Sequence, residues 1–287
     1  MKPAELPPAE TRQHVRGNIL GIGVSAINMT DALVTIDGWV KRREPNYVVV
    51  TPAHAVMNGY RDPELRGIFN ASGLTTPDGM AIVWALRLQG HRRVSRVYGP
   101  DLMQEVCRQG VDQGYRHFLY GGEPGVAEQL ADRLTGQFPR LRIAGTYGPP
   151  FGELAPEEDR VTVERINASQ PDIVWVGLGS PRQEFWMAAH LERISAPVMI
   201  GVGAAFDFLS GRKPQAPRWM QRSGLEWLFR LATEPRRLWP RYRQYPWFVV
   251  LLAAQAMKLI HVPLDVPKVD GASEEGKQGP PNRHQSA

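Results

Sequence analysis

Cysteine is nearly absent from this chain of 287 residues, where Cys107 stands alone. A disulfide framework and a cysteine-based zinc cluster are therefore excluded. Long apolar runs are missing too. The longest, Trp247 to Met257, has eleven residues, and a spanning helix needs about 20. The opening stretch MKPAELPPAETRQ holds no apolar run, so no secretory signal peptide is expected there. The sequence also lacks an Asp-x-Asp metal-holding pair, a GxxxxGK[ST] phosphate loop and a GxSxG nucleophile elbow. No His/Asp/Glu cluster has metal-ligand spacing. No GxGxxG followed by a helix and a ribose-binding acid occurs, which argues against a dinucleotide-dependent oxidoreductase.

What is present fits a globular protein. The chain is 43 % hydrophobic and 22 % charged, which excludes a wholly disordered polymer. Its length fits one large α/β domain or two small ones. The net charge of +5 is unevenly spread. Residues 212–262 hold ten Lys/Arg against Glu226 and Glu234, a surplus of eight, so the remainder is net acidic. The same stretch holds Trp219, Trp227, Trp239 and Trp247, four of the eight tryptophans. Such a mixture suits anionic lipid headgroups, a nucleic-acid backbone, or a helical cap with a solvated basic face.

Short apolar runs alternate with helical patterns between these ends. NILGIGVSAI, NYVVVTP, RHFLYGG, LRIAGTYG, DIVWVGLG and PVMIGVG are short, β-branched or aromatic, and end near Gly or Pro. In VAEQLADRLTGQF, Val126, Leu130 and Leu134 fall on one helix face. This alternation predicts an α/β fold, a Rossmann-like parallel sheet with helices on both faces. The expected organisation is a mobile N-terminus (1–13), a core (14–211), a basic, Trp-rich appendage (212–262) and a disordered tail (263–287).

Ligands of open parallel sheets bind beyond the strands' carboxyl ends. Those ends carry Thr51-Pro52, Gly121-Gly122, Gly177-Leu178-Gly179 and Gly201-Val202-Gly203. Glycines there admit a phosphate-bearing ligand close to the backbone, or merely make tight turns. Asp78, in a Pro-Asp-Gly turn before an apolar helix pattern, is either a helix cap or a general base. Thr51 is a turn residue or an orienting hydroxyl. Ser180, Gln183 and Glu184 cluster at a helix start, as capping chemistry or as ligand donors and acceptors. Asp207 is placed to accept hydrogen bonds from a ribose or base, or to neutralise Arg212 or Lys213. A leaving diphosphate without a metal needs cations, and Arg93, Arg96 and the basic C-terminal segment are candidates.

Seven segments, in order, carry a resemblance: TPAHAVM, TTPDGMAIVWA, RVYGPDLM, FLYGGEPGVAEQLADRL, DIVWVGLGSPRQEFW, IGVGAAFDFLSG and APRWMQRSGLEWLFRLATEPRRLWPRY. Together they resemble the WecG/TagA/CpsF family of bacterial glycosyltransferases from about Asn18 to Tyr245. The resemblance implies transfer of N-acetylmannosamine, its uronic acid or another hexose-type sugar from a UDP-sugar to a polyprenyl-diphosphate-linked saccharide at the cytoplasmic membrane face. It implies a peripheral enzyme of cell-surface or exopolysaccharide synthesis; the missing Asp-x-Asp pair points to transfer without a metal, and no other cofactor is expected. The resemblance makes Asp78 the catalytic base and Thr51 an active-site threonine. It puts Gln183 and Glu184 at the nucleotide-sugar pocket and makes Asp207 the acid of a Gly-Val-Gly…Phe-Asp motif; backbone amides near Gly179 and Gly203 are expected to help hold the donor. Arg96 lies near the diphosphate, and Arg230, Arg237 and Arg241 lie in a lipid-facing appendage. Two positions depart from the family pattern: Ala53 where many members have Asn, and Ala204 where many have Gly. The contrasting expectations are a nucleotide-binding oxidoreductase and a nucleic-acid-binding module. Away from a membrane, an exposed apolar appendage invites homo-oligomer formation.

Overall fold

The computed structural model describes residues 14–152 and 154–264. The expected mobile N-terminus, and the expected tail from residue 265 onward, lie outside the described residues.

In chain order the elements are β1 (Arg16–Ile19), β2 (Ile22–Ser25), α1 (Met29–Arg42), β3 (Asn46–Thr51), α2 (Ala53–Arg61), α3 (Pro63–Ala71) and β4 (Leu74–Pro77). There follow α4 (Met80–Leu88), α5 (Gly99–Gln113), β5 (Arg116–Gly121), α6 (Val126–Gln137), β6 (Arg142–Tyr147), α7 (Pro156–Ala168), β7 (Ile173–Gly177) and α8 (Arg182–His190). The chain continues through β8 (Val198–Gly201), α9 (Ala205–Leu209), α10 (Arg218–Arg222), α11 (Glu226–Thr233), α12 (Pro235–Tyr242) and α13 (Tyr245–Ala256).

Six strands form one parallel sheet in the order β4-β3-β8-β7-β5-β6. The α/β class expected from the alternating pattern is observed. Central strands such as NYVVVT and IVWVG are buried along almost their whole length, as a sheet covered on both faces requires. Ala55, Val56, Met57, Leu65, Phe69, Ile82 and Met187, from α2, α3, α4 and α8, pack on one face. Ile36, Leu102, Val106, Leu130 and Phe206, from α1, α5, α6 and α9, pack on the other.

Two elements differ from the sequence expectation. NILGIGVSAI is a hairpin, not one strand. Leu20 (φ 52°) and Gly21 (φ 85°) both adopt left-handed backbone, the geometry of a tight two-residue hairpin turn. β1 and β2 pair antiparallel outside the main sheet. The strand β4, LTTP, was not among the expected strands. Its two threonines are fully buried, and Thr75 bonds Ser72, Phe69 and Ser25.

The topology opens a crevice at the sheet's carboxyl edge. Neighbouring strands β3 and β8 lead to α2 on one face and α9 on the other, a switch point of the kind that binds ligands in open α/β sheets. Helices α10 to α13 return over this edge. Phe248 and Leu251 of α13 join the α2-side core. Gln255 Oε1 accepts from Leu20 N (2.9 Å), and Asn18 Nδ2 donates to Val262 O (2.8 Å), tying the end of α13 to the hairpin.

Candidate active site

β4 delivers Asp78 to the rim. The bend after Pro77 makes Gly79, not Asp78, the cap of α4, and no side chain caps that helix. The capping alternative for Asp78 is thus not what the structure shows. Its side chain is 16 % exposed, and its Oδ1 is buried without a hydrogen-bond partner. Burial pushes the Asp78 pKa up to about 6, Arg96 opposes that shift, and the nearby charge of Glu226 adds to it. A carboxyl with that value is ionised at neutral pH yet basic enough to take a proton.

Around Asp78 lie Pro52, His54, Met80 and Arg96 from the core, and Gln221, Glu226, Trp227, Arg230, Tyr242 and Tyr245 from the C-terminal helices. Arg96 is held from several sides. Its Nε donates to the Asp78 carbonyl, its Nη1 to Gln221 O (3.3 Å), and its Nη2 to Glu226 Oε2 (2.6 Å). Its guanidinium stacks 4.0 Å over the Tyr98 ring. The Tyr98 hydroxyl donates to Glu226 Oε1 at 2.8 Å.

A second group forms where α8 begins. Glu184 is fully buried, and burial raises its pKa to about 7. Gln183 Nε2 donates to Glu184 Oε1 (3.1 Å). Gln183 Oε1, Glu184 Oε2 and Ser180 Oγ are buried with no partner, and α8 has no side-chain cap. The capping alternative therefore fails here as well. Buried polar atoms left unsatisfied call for a partner. Gly203, with φ +48°, lets its backbone approach Gln183, and Gly179, with φ +78°, faces open space.

The remaining candidates separate. Thr51 ends β3 beside Pro77 but is fully buried, and its hydroxyl donates to Val49 O at 3.2 Å. Asp207 pairs with Lys213 at 2.6 Å, and Lys213 also reaches Glu234 (3.1 Å). Arg93 is exposed and does not line the cavity. Arg237 is bound to Glu234 at 2.6 Å. Arg230 lines the cavity over the Phe208 ring (5.2 Å), and its Nε is buried without a partner. Burial, then the charges of Arg237 and Arg230, draw the Arg241 pKa down. No ion pair among the described residues involves Arg230 or Arg241. A cavity-lining guanidinium that makes no ion pair, as at Arg230, suits a phosphate-bearing ligand.

The sequence reading gave no role to His54, Tyr98, Gln221, Glu226, Tyr242 or Tyr245. His54 Nδ1 is buried and unpartnered, and burial, with Arg241 and Arg230 nearby, lowers its pKa to about 3. Its ring is neutral across the physiological range. One signal pointed to Glu226: it is one of only two acids among the ten cations of residues 212–262.

A switch-point crevice with a buried carboxyl, an arginine in no ion pair and unsatisfied polar atoms suits a group-transfer enzyme of the α/β class. The family match makes the class specific. The model described as "Glycosyl transferase WecG/TagA/CpsF family" matches residues 17–261, and the chain belongs to that family. It is a glycosyltransferase. A Bacillus spizizenii relative, named N-acetylglucosaminyldiphosphoundecaprenol N-acetyl-beta-D-mannosaminyltransferase, is 30 % identical over 203 residues, covering 71 % of this chain and 77 % of the relative. A Bacillus subtilis relative of the same name is 33 % identical over 187 residues, covering 65 % and 70 %. Family membership favours the transferase reading over the oxidoreductase and the nucleic-acid module.

Proposed function

We propose that this chain transfers an N-acetylmannosamine-type or related hexose from a UDP-sugar to a polyprenyl-diphosphate-linked saccharide, with inversion. The observation that carries the reading is Asp78: a rim carboxyl with a buried, unpartnered oxygen, in a cavity also lined by Arg230, which makes no ion pair among the described residues. Asp78 Oδ1 takes the proton of the acceptor hydroxyl as its oxygen attacks the anomeric carbon. The bond from that carbon to the UDP oxygen breaks, and the electron pair leaves on UDP. General-base help of this kind contributes about 10²–10⁴-fold. Gln183, Glu184 and the backbone at Gly179 and Gly203 hold the donor, Thr51 supports the rim, and Asp207 lies at the outer edge. Arg96, Arg230 and Arg241 balance the charge growing on the diphosphate. The names of the Bacillus relatives support the lipid-linked acceptor.

Residues 14–211 are read as the transferase core and 212–262 as its appendage. The appendage exposes Trp219, Trp239, Trp247, Val249 and Val250. No helix among the described residues is long and apolar enough to cross a membrane. Apolar and aromatic side chains beside basic ones suit a peripheral site on the inner membrane face, where the lipid-linked acceptor would be met.

The test is UDP release by purified protein with a panel of UDP-sugars, a short-chain polyprenyl-diphosphate saccharide and EDTA. Acceptor-dependent release from one sugar is expected. Release only after Mg²⁺ or Mn²⁺ is added would keep the transferase and remove the arginine account of the leaving group. No release from any donor, with or without metal, would sink the reading.

A further inference from the structure

Glu226 stands first in α11 and is 8 % exposed. A buried carboxylate is costly unless paired and hydrogen-bonded. Both of its oxygens are engaged: Oε2 with Arg96 Nη2 at 2.6 Å, Oε1 with the Tyr98 hydroxyl at 2.8 Å. Gln215 Nε2 approaches the same hydroxyl at 3.2 Å, which extends the network. The same Arg96 Nη2 lies 3.6 Å from Asp78 Oδ1, too far for a hydrogen bond. One guanidinium nitrogen thus stands between two carboxylates and is bonded to the one from the appendage.

We propose that Glu226 is a positioning residue for the transfer: by holding Arg96 Nη2 it keeps Asp78 Oδ1 free to accept the proton of the attacking hydroxyl. The inference rests on Asp78 being the base. Without Glu226, Arg96 Nη2 would turn to Asp78. A charge-assisted bond from Arg to a carboxylate is strong, and it would occupy the oxygen the reaction needs. The other groups facing Asp78 leave this balance to Glu226. Arg230, four residues along α11, is cationic and favours the ionised carboxyl, as does the Gly99 N–H at the start of α5. Tyr98 and Tyr245 are neutral phenols, their ionisation pushed far up by burial. Tyr242 also lines the cavity, and burial pushes its ionisation up too. His54 is held neutral. Glu226 is the anionic neighbour that burial and Arg96 bring to Asp78. The clamp joins residues 130 positions apart, so the base is set only when α11 lies on the core.

The experiment is the pH profile of acceptor-dependent UDP release, with the donor panel above, for the unaltered protein, Glu226→Gln and Glu226→Asp. The unaltered protein should lose rate below about pH 6. In Glu226→Gln the acidic limb should move about one pH unit lower, with the plateau rate reduced and donor KM changed by less than about twofold. Glu226→Asp, too short to span both partners, should move the limb the same way by less. A role confined to holding the fold would lower melting temperature and leave the limb in place. An unmoved limb in a folded Glu226→Gln overturns the inference; if that variant does not fold, an unmoved limb in Glu226→Asp does so. If the unaltered protein releases no UDP, the transferase reading fails, and the inference with it.

Discussion

Asp78, the proposed base, also has a thermodynamic consequence. Its pKa is raised by burial from 3.8 to about 6, so between those values the folded chain binds more protons at this site than the unfolded one. The stability it contributes is present below pH 3.8 and is lost as pH rises to about 6. Asp78→Asn removes that cost. At pH 7.5 the variant should be more stable by about 1–2 kcal/mol, with no gain near pH 4, as denaturant melts at the two pH values would show. The same change should cut transfer about 10²–10⁴-fold. Asp78, Gln183 and Glu184 were legible as candidates because each sits in a short motif at a strand end. Glu226 was marked only as one of two acids in a basic stretch, and that mark gave it no role until the fold brought it to Arg96. Arg93 shows the converse: three residues from Arg96 in sequence, it faces solvent.

Among the elements, β5 and β7 leave no room for a side chain where their carboxyl ends meet. Gly121 and Gly177 face each other in register, and Gly121 has φ +130°. A Cβ on Gly121 would lie 2.5 Å from the Gly177 carbonyl carbon, a contact no side-chain rotation relieves. Gly121→Ala should destabilise by about 3 kcal/mol or more, or abolish soluble expression, whereas Gly136→Ala, which meets nothing within 4 Å, should leave the melt unchanged or raise it. The central strands were readable because burial on both faces writes itself as an unbroken β-branched run. β4 escaped because two threonines in a four-residue stretch look like a loop; only Thr75 bonds its hydroxyl locally, to Ser72 and Phe69, while the Thr76 hydroxyl is buried without a partner. The hairpin was read as one strand because Leu20 carries no mark of the left-handed backbone it adopts. Only Gly21 beside it hints at the turn.

At the scale of the whole molecule, charge and exposed aromatic surface coincide in the appendage. The protein should bind vesicles containing anionic phosphatidylglycerol, and binding should weaken as salt rises. Trp239→Ser with Trp247→Ser should lower the partition coefficient about tenfold or more in a sedimentation assay, since burying each large apolar side chain contributes about 1.5–3 kcal/mol. The C-terminal helices also account for most of what composition alone left open. Ten cations and four tryptophans told that a surface was special, but not that α11 turns Glu226 and Arg230 inward while α13 keeps Trp247 outward. Cys107 makes this arrangement unusually open to inspection. It is the one thiol of the chain, wholly buried in the α5-side core, and burial pushes its ionisation up. A thiolate-seeking dye will pass it by while the fold is intact. A single cysteine placed at Val249 or Val250 would then carry a fluorophore at a known spot on α13, and its emission would report depth in a bilayer without a background-free parent having to be engineered first.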